Sequence, residues 1–187
     1  ILVYTDVTKG GATLEEIKVS RNGSATIELV ESYGTENSAS KATLRKMIDI
    51  MLEMYPDREY GLLVFSHASG WLPAGTLDKP LTGIMQSRSI TLDKNPGDGS
   101  GTREMEIKDF ADAIPDGIFE YIVFETCLTA NVEVVYEFRN KARYIVASAA
   151  EMVSPGFEPI YPTMTRYLLD LEQPTKNNLT TFAEGFY

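Results

Sequence analysis

The chain is 187 residues long, 43% hydrophobic, and carries 27 Asp and Glu against 17 Lys and Arg, a formal net charge of -10. That length and apolar content suffice for one substantial core and predict a single domain over residues 1–187. The acidic balance, with no concentration of basic residues on one face, excludes a nucleic-acid backbone as partner. No apolar run reaches the roughly 20 residues of a membrane-spanning helix, and no charged-then-apolar leader is visible.

In chain order, Ile1 to Tyr4 reads as a buried strand, so the chain is expected to begin inside structure. Leu14 to Val19 and Ala25 to Val30 alternate in polarity around Asn22-Gly23, the pattern of an antiparallel edge hairpin. Ser40 to Tyr55 places Leu44, Met47, Ile48, Met51 and Leu52 on one stripe at helical spacing, and Pro56 ends it. Tyr60 to Phe65 is a second short apolar run. Asp93 to Gly101, rich in Gly, Pro and Asp, reads as a surface loop whose acidic spacing misses the EF-hand register. Lys108 to Ile114 predicts a short helix before Pro115, Tyr121 to Phe124 a third strand, Leu128 to Phe138 a packing helix, and Tyr144 to Ala147 a fourth strand. Short apolar runs alternating with amphipathic stretches define an α/β class with a mostly parallel sheet, in which all four runs serve as central strands.

Chemistry-bearing residues fall at two strand ends. The only His, His67, follows LLVFS, and the only Cys, Cys127, follows YIVFET. In an open parallel sheet the carboxyl ends of the strands share one edge, and the crevice outside that edge is where such folds bind ligands. The two residues are therefore expected to meet, with the imidazole taking the thiol proton and handing it to a leaving amine. A helix starting near Leu128 would aim its free amides at Cys127, favouring the thiolate and an oxyanion pocket. The spacing equally admits a bland arrangement, in which His67 caps a loop and Cys127 fills a gap under the helix. Zinc lacks a third clustered ligand, no phosphate loop occurs, and Ser69 and Ser148 have no nucleophile-elbow context. Glu125 alternates with Cys127 and needs a partner, either a cation of the substrate or an internal Arg143 or Lys141.

Two segments, FSHASGW (Phe65–Trp71) and FETCLTANVEVVYEFRNKARYIVAS (Phe124–Ser148), resemble the clostripain family of cysteine peptidases, which belongs with caspases, gingipains and legumain. The resemblance extends through YGTENSAS (Tyr33–Ser40) and Asp112–Pro115. It implies a caspase-like three-layer sandwich, with His67 as general base and Cys127 as nucleophile. It also implies the backbone N–H groups of Ala68 and Cys127 as oxyanion donors, and Glu125 in a pocket accepting Arg or Lys before the scissile bond. The implied partner is a peptide or protein with basic residues. No cofactor is required by the residues, calcium is possible by resemblance, and no metal site is assigned. Relatives of this kind are bacterial and extracytoplasmic, that is secreted, periplasmic or surface-attached.

The sequence departs from the family at three points. His-Gly becomes His67-Ala68, which would strain the backbone if positive φ were needed there. The acid two before the nucleophile is Glu125 rather than Asp. The family's first strand and helix are not identifiable, so N-terminal and C-terminal parts of the full protein are expected to be missing. The alternative function is a catalytically weak or inactive module that binds peptide or protein in the same crevice, and a small-molecule site would rest on fold class alone.

Overall fold

The computed structural model describes residues 1–7, 10–56, 58–70, 89–94, 96–97, 99, 101–153, 155–169 and 176–186. In chain order the elements are β1 (Leu2–Val7), β2 (Gly11–Val19), β3 (Ala25–Gly34), α1 (Lys41–Met54), β4 (Tyr60–Phe65), β5 (Ser89–Asp93) and β6 (Arg103–Glu106). They continue with α2 (Ile107–Ala113), β7 (Phe119–Glu125), α3 (Val132–Phe138), β8 (Ala142–Val146), α4 (Tyr161–Leu168) and α5 (Lys176–Glu184).

Strands β4, β7 and β8 form a parallel sheet in that order, with Leu63 opposite Val123 and Val123 opposite Val146. Alternation along β7 builds two cores, because successive side chains point to opposite faces. Ile122 and Phe124 pack with Leu44 and Ile48 of α1, Phe110 of α2, and Val134 and Phe138 of α3. Tyr121 and Val123 pack on the other face with Leu168 of α4 and with Leu179 and Phe182 of α5. The result is the expected α/β/α three-layer arrangement. Phe124 and Phe138 are wholly buried in an edge-to-face pair 5.0 Å apart, and each such side chain contributes about 1.5–3 kcal/mol by leaving water. On β4 the side chains of that second face are less covered: Leu63 is 36% and Phe65 75% exposed.

The local signals act as the sequence predicts at α1, where the Ser40 hydroxyl accepts from Thr43 N at 3.1 Å and closes the first turn, a cap that contributes about 1 kcal/mol. Two expectations need correction. The run from Ile1 to Tyr4 is not a central parallel strand: β1 pairs antiparallel with β2 (Tyr4 opposite Leu14), in a separate sheet of order β1-β2-β3. The expected antiparallel hairpin does form, as β2 and β3 of that sheet, and its loop runs from Ser20 to Ser24, with Gly23 at φ 84, the longer type with glycine in the left-handed position. Finally, the helix expected from Leu128 begins at Val132, four residues later, with Asn131 as cap accepting from Val134 N at 2.9 Å. Leu128 itself has φ 55, which no helical residue adopts.

Within the loop expected from Asp93 to Gly101, Asn95, Asp98 and Ser100 lie outside the described residues, as does Trp71 of the His67 segment. The loop is tied down at Gly97, whose N–H donates to Thr35 O at 2.7 Å, and at Asp93, a buried carboxylate that accepts from Ser38 N at 3.0 Å. Among the described residues no three Asp, Glu, His or Cys side chains gather in a way that could hold a metal ion. No described helix is long and apolar enough to cross a membrane.

Candidate active site

Phe65, the last residue of β4, is the register partner of Glu125, the last residue of β7. His67 and Cys127 each stand two residues beyond that pair, so both follow the carboxyl edge of the sheet on neighbouring strands. His67 is exposed and Cys127 half-buried.

The loops that carry them touch. Gly70 has φ 62, and a Cβ there would lie 2.4 Å from the carbonyl oxygen of Leu128 and 2.8 Å from its Cβ. Only glycine meets both the left-handed backbone and the close approach. The segment from His67 to Gly70 is anchored behind by Ser69, whose hydroxyl contacts that of Ser89 at 2.7 Å and whose N–H donates to Ser89 O at 3.2 Å. Ala68 does not carry the strain considered for it: among the described residues Leu128 is the one non-glycine at positive φ. The left-handed position belongs to Gly70 instead.

After Cys127 the chain reverses through Leu128, a conformation that costs a non-glycine residue about 1–2 kcal/mol. The surroundings hold it there. Leu128 N donates to Ala150 O at 3.1 Å, Asn131 Nδ2 donates to Leu128 O at 2.6 Å, and the buried Thr126 and Thr129 hydroxyls bond to each other at 3.1 Å. The turn, rather than a helix terminus, therefore orients the thiol, which corrects the expected dipole effect. A seven-residue α3 starting at Val132 is too far along the chain to aim its first amides at Cys127. The sulfur lies against Met152, accepting from its N–H at 3.3 Å and facing its carbonyl oxygen at 3.7 Å. Neither the Ala68 nor the Cys127 N–H has an acceptor among the described residues.

Glu125 is only 3% exposed. Neither internal cation considered for it is its partner: Lys141 bonds Asp116 at 2.6 Å and Arg143 bonds Glu120 at 3.3 Å. Its carboxylate instead accepts from Phe157 N at 2.5 Å and from the Tyr161 hydroxyl. Burial, and then the Glu125 carboxylate, push the Tyr161 phenol well above its ordinary value, so it remains a donor across the neutral range. Gly156, at φ 62, admits this approach, since a Cβ there would lie 2.3 Å from Glu125 Oε1.

Leu63, Phe65, Glu125, Pro155, Glu158 and Tyr161 line an open cleft of about 340 Å³. Of these lining residues sequence reasoning singled out Glu125 alone and missed Tyr161, Glu158 and the wall residues. Pro155-Gly156 was the one local signal, a turn dipeptide, and it gives no hint of what the turn faces.

A family model described as the clostripain family matches residues 1–178. A secreted C11 cysteine protease from Bacteroides thetaiotaomicron, solved with an irreversible peptide inhibitor, is 27% identical with a TM-score of 0.76, covering 100% of this chain and 47% of that one. An inactive zymogen C11 protease from Parabacteroides distasonis is 30% identical with a TM-score of 0.73, covering 98% of this chain and 46% of its own. A secreted B. thetaiotaomicron C11 cysteine protease, iotapain, is 19% identical at a TM-score of 0.76, over 100% and 50% of the two chains, and shows the fold alone. No curated protein matches. The chain thus spans about half the length of the solved structures it matches. With the family model covering nearly all of its residues, the chain belongs to the clostripain family.

Proposed function

We propose that the protein is a cysteine endopeptidase that cleaves after Arg or Lys, with Cys127 as nucleophile and His67 as base. The observation that supports this reading is the register: His67 and Cys127 each follow by two residues the paired Phe65 and Glu125, on neighbouring parallel strands whose loops approach at Gly70 and Leu128. The proton of Cys127 Sγ passes to the His67 imidazole, and the thiolate attacks the scissile carbonyl carbon. A C–S bond forms and the carbonyl oxygen becomes an oxyanion, for which the unused N–H groups of Ala68 and Cys127 are the donors. Collapse breaks the C–N bond, and the leaving amine takes the proton from His67. Water, activated by the same imidazole, then hydrolyses the thioester and restores the thiol.

The cleft beside Glu125 supplies the specificity. Two carboxylates, Glu125 and Glu158, line it together with apolar walls, a lining suited to a side chain with an apolar stem and a cationic tip. The ordinary backbone at Ala68 removes the main support for an inactive binding module. An extracytoplasmic location is supported by the secreted B. thetaiotaomicron relative.

The test is a fluorogenic peptide panel varied only at the residue before the cut. Cleavage after Arg and Lys, weakened in Glu125→Gln and Glu158→Gln, is expected. Glu125→Gln leaves one acceptor oxygen for two donors, Phe157 N–H and the Tyr161 hydroxyl. Preference for Asp or for large apolar residues would overturn the specificity.

A further inference from the structure

A phenylalanine at a strand end that is 75% exposed is unremarkable in isolation, but Phe65 is not isolated. It shares the cleft of about 340 Å³ with Leu63, Pro155 and Tyr161, and among the described residues the charged groups in that lining are the carboxylates of Glu125 and Glu158. The two acids are not equivalent. Glu125 is buried and already accepts from Phe157 N and the Tyr161 hydroxyl. Glu158 is exposed, and no described residue offers it a cation. An occupant that satisfied this cleft would cover an aromatic face and bring a positive charge to Glu158 at the same time.

We propose that Phe65 is a specificity-determining residue. It is the platform on which the guanidinium plane of a substrate arginine lies while the N–H fork reaches Glu158, so that the cleft prefers arginine over lysine. This rests on the reading above, that the cleft takes the basic residue before the scissile bond. The selectivity follows from the two cations. A guanidinium is planar and weakly hydrated, so it stacks on a ring and still points donors sideways at a carboxylate. An ammonium is a compact, strongly hydrated point charge, and losing its water over a ring is costly. Glu125 acts as a positioning residue: its bonds to Phe157 and Tyr161 fix the turn from which Glu158 projects. At a partly exposed site such stacking corresponds to roughly two- to fivefold in affinity.

The experiment compares paired peptides, identical except for Arg or Lys before the cut, on wild type, Phe65→Leu and Phe65→Tyr. It reads kcat/KM, and it reads equilibrium binding on the same proteins carrying Cys127→Ala, so that a protein without turnover still decides the matter. Leucine keeps an apolar wall without a ring face, and tyrosine keeps the ring. The wild type is expected to favour Arg by about two- to fivefold. That ratio should collapse toward one in Phe65→Leu and survive in Phe65→Tyr, with circular dichroism unchanged in both. A ratio that Phe65→Leu leaves intact, or a wild type that favours Lys, would overturn the platform and leave basic specificity standing. A wild type that binds neutral residues as well as Arg and Lys would overturn both.

Discussion

Gly70→Ala is the substitution that most directly probes how the two reactive loops are joined. At φ 62 the alanine would sit in the left-handed region, which costs about 1–2 kcal/mol. Its Cβ would also lie 2.4 Å from a backbone oxygen, that of Leu128, rather than from the end of a flexible side chain. The nucleophile turn must shift, and overpacking of this kind adds about 1–3 kcal/mol. Gly23 provides the internal standard, since at φ 84 it has nothing within 4 Å of an added Cβ. Gly23→Ala should therefore cost only the backbone term, about 1–2 kcal/mol, against about 2–5 kcal/mol for Gly70→Ala. Urea denaturation of both variants beside wild type measures the difference. Because the shift moves Leu128, the residue after Cys127, folded Gly70→Ala should also lose peptide hydrolysis, while Gly23→Ala should not. Equal destabilisation by the two substitutions, with hydrolysis intact in both, would refute the contact between the loops.

Two further outcomes concern the buried phenols. Tyr161→Phe removes one of the two donors on the buried Glu125 carboxylate and is expected to cost about 1–3 kcal/mol in urea unfolding, together with a loss of discrimination for basic residues. Burial pushes Tyr121 up to about 12 and raises Tyr4 and Tyr161 as well, whereas in the unfolded chain these phenols titrate near 10. Their contribution is thus fully present below pH ~10 and is lost as pH rises through the folded values, because the unfolded chain releases its protons first. Urea midpoints should be flat with respect to these groups up to about pH 10 and fall above it; a midpoint that rises there would contradict the burial.

Much of this was legible in the amino-acid pattern, for identifiable reasons. The run at Tyr121–Phe124 is apolar on consecutive residues because β7, between β4 and β8, is covered on both faces, whereas the edge strand β4 carries the same pattern with Phe65 left exposed. Such runs mark strand ends sharply, and so they located His67 and Cys127. The run at Ile1–Tyr4 looks the same locally, yet β1 pairs with β2 in another sheet, and strand partners are long-range choices that a local run does not encode. The helix start was misread because Leu128 extends the apolar stripe of α3 backward. The Asn131 side chain that caps Val134 N was the better signal. The partners of Glu125 were illegible: Phe157 offers a backbone N–H, which every residue other than proline has, and Tyr161 lies 36 residues away across a turn.

The most direct test of the dyad is the second-order rate at which an electrophile carrying an arginine peptide labels Cys127 at neutral pH, in wild type and in His67→Ala. Wild type should label at Cys127 in the folded state, and loss of the imidazole should slow labelling by about 10²-fold or more with the fold unchanged by circular dichroism. Equal rates in the two proteins, or a Cys127 that labels only after denaturation, would contradict the account.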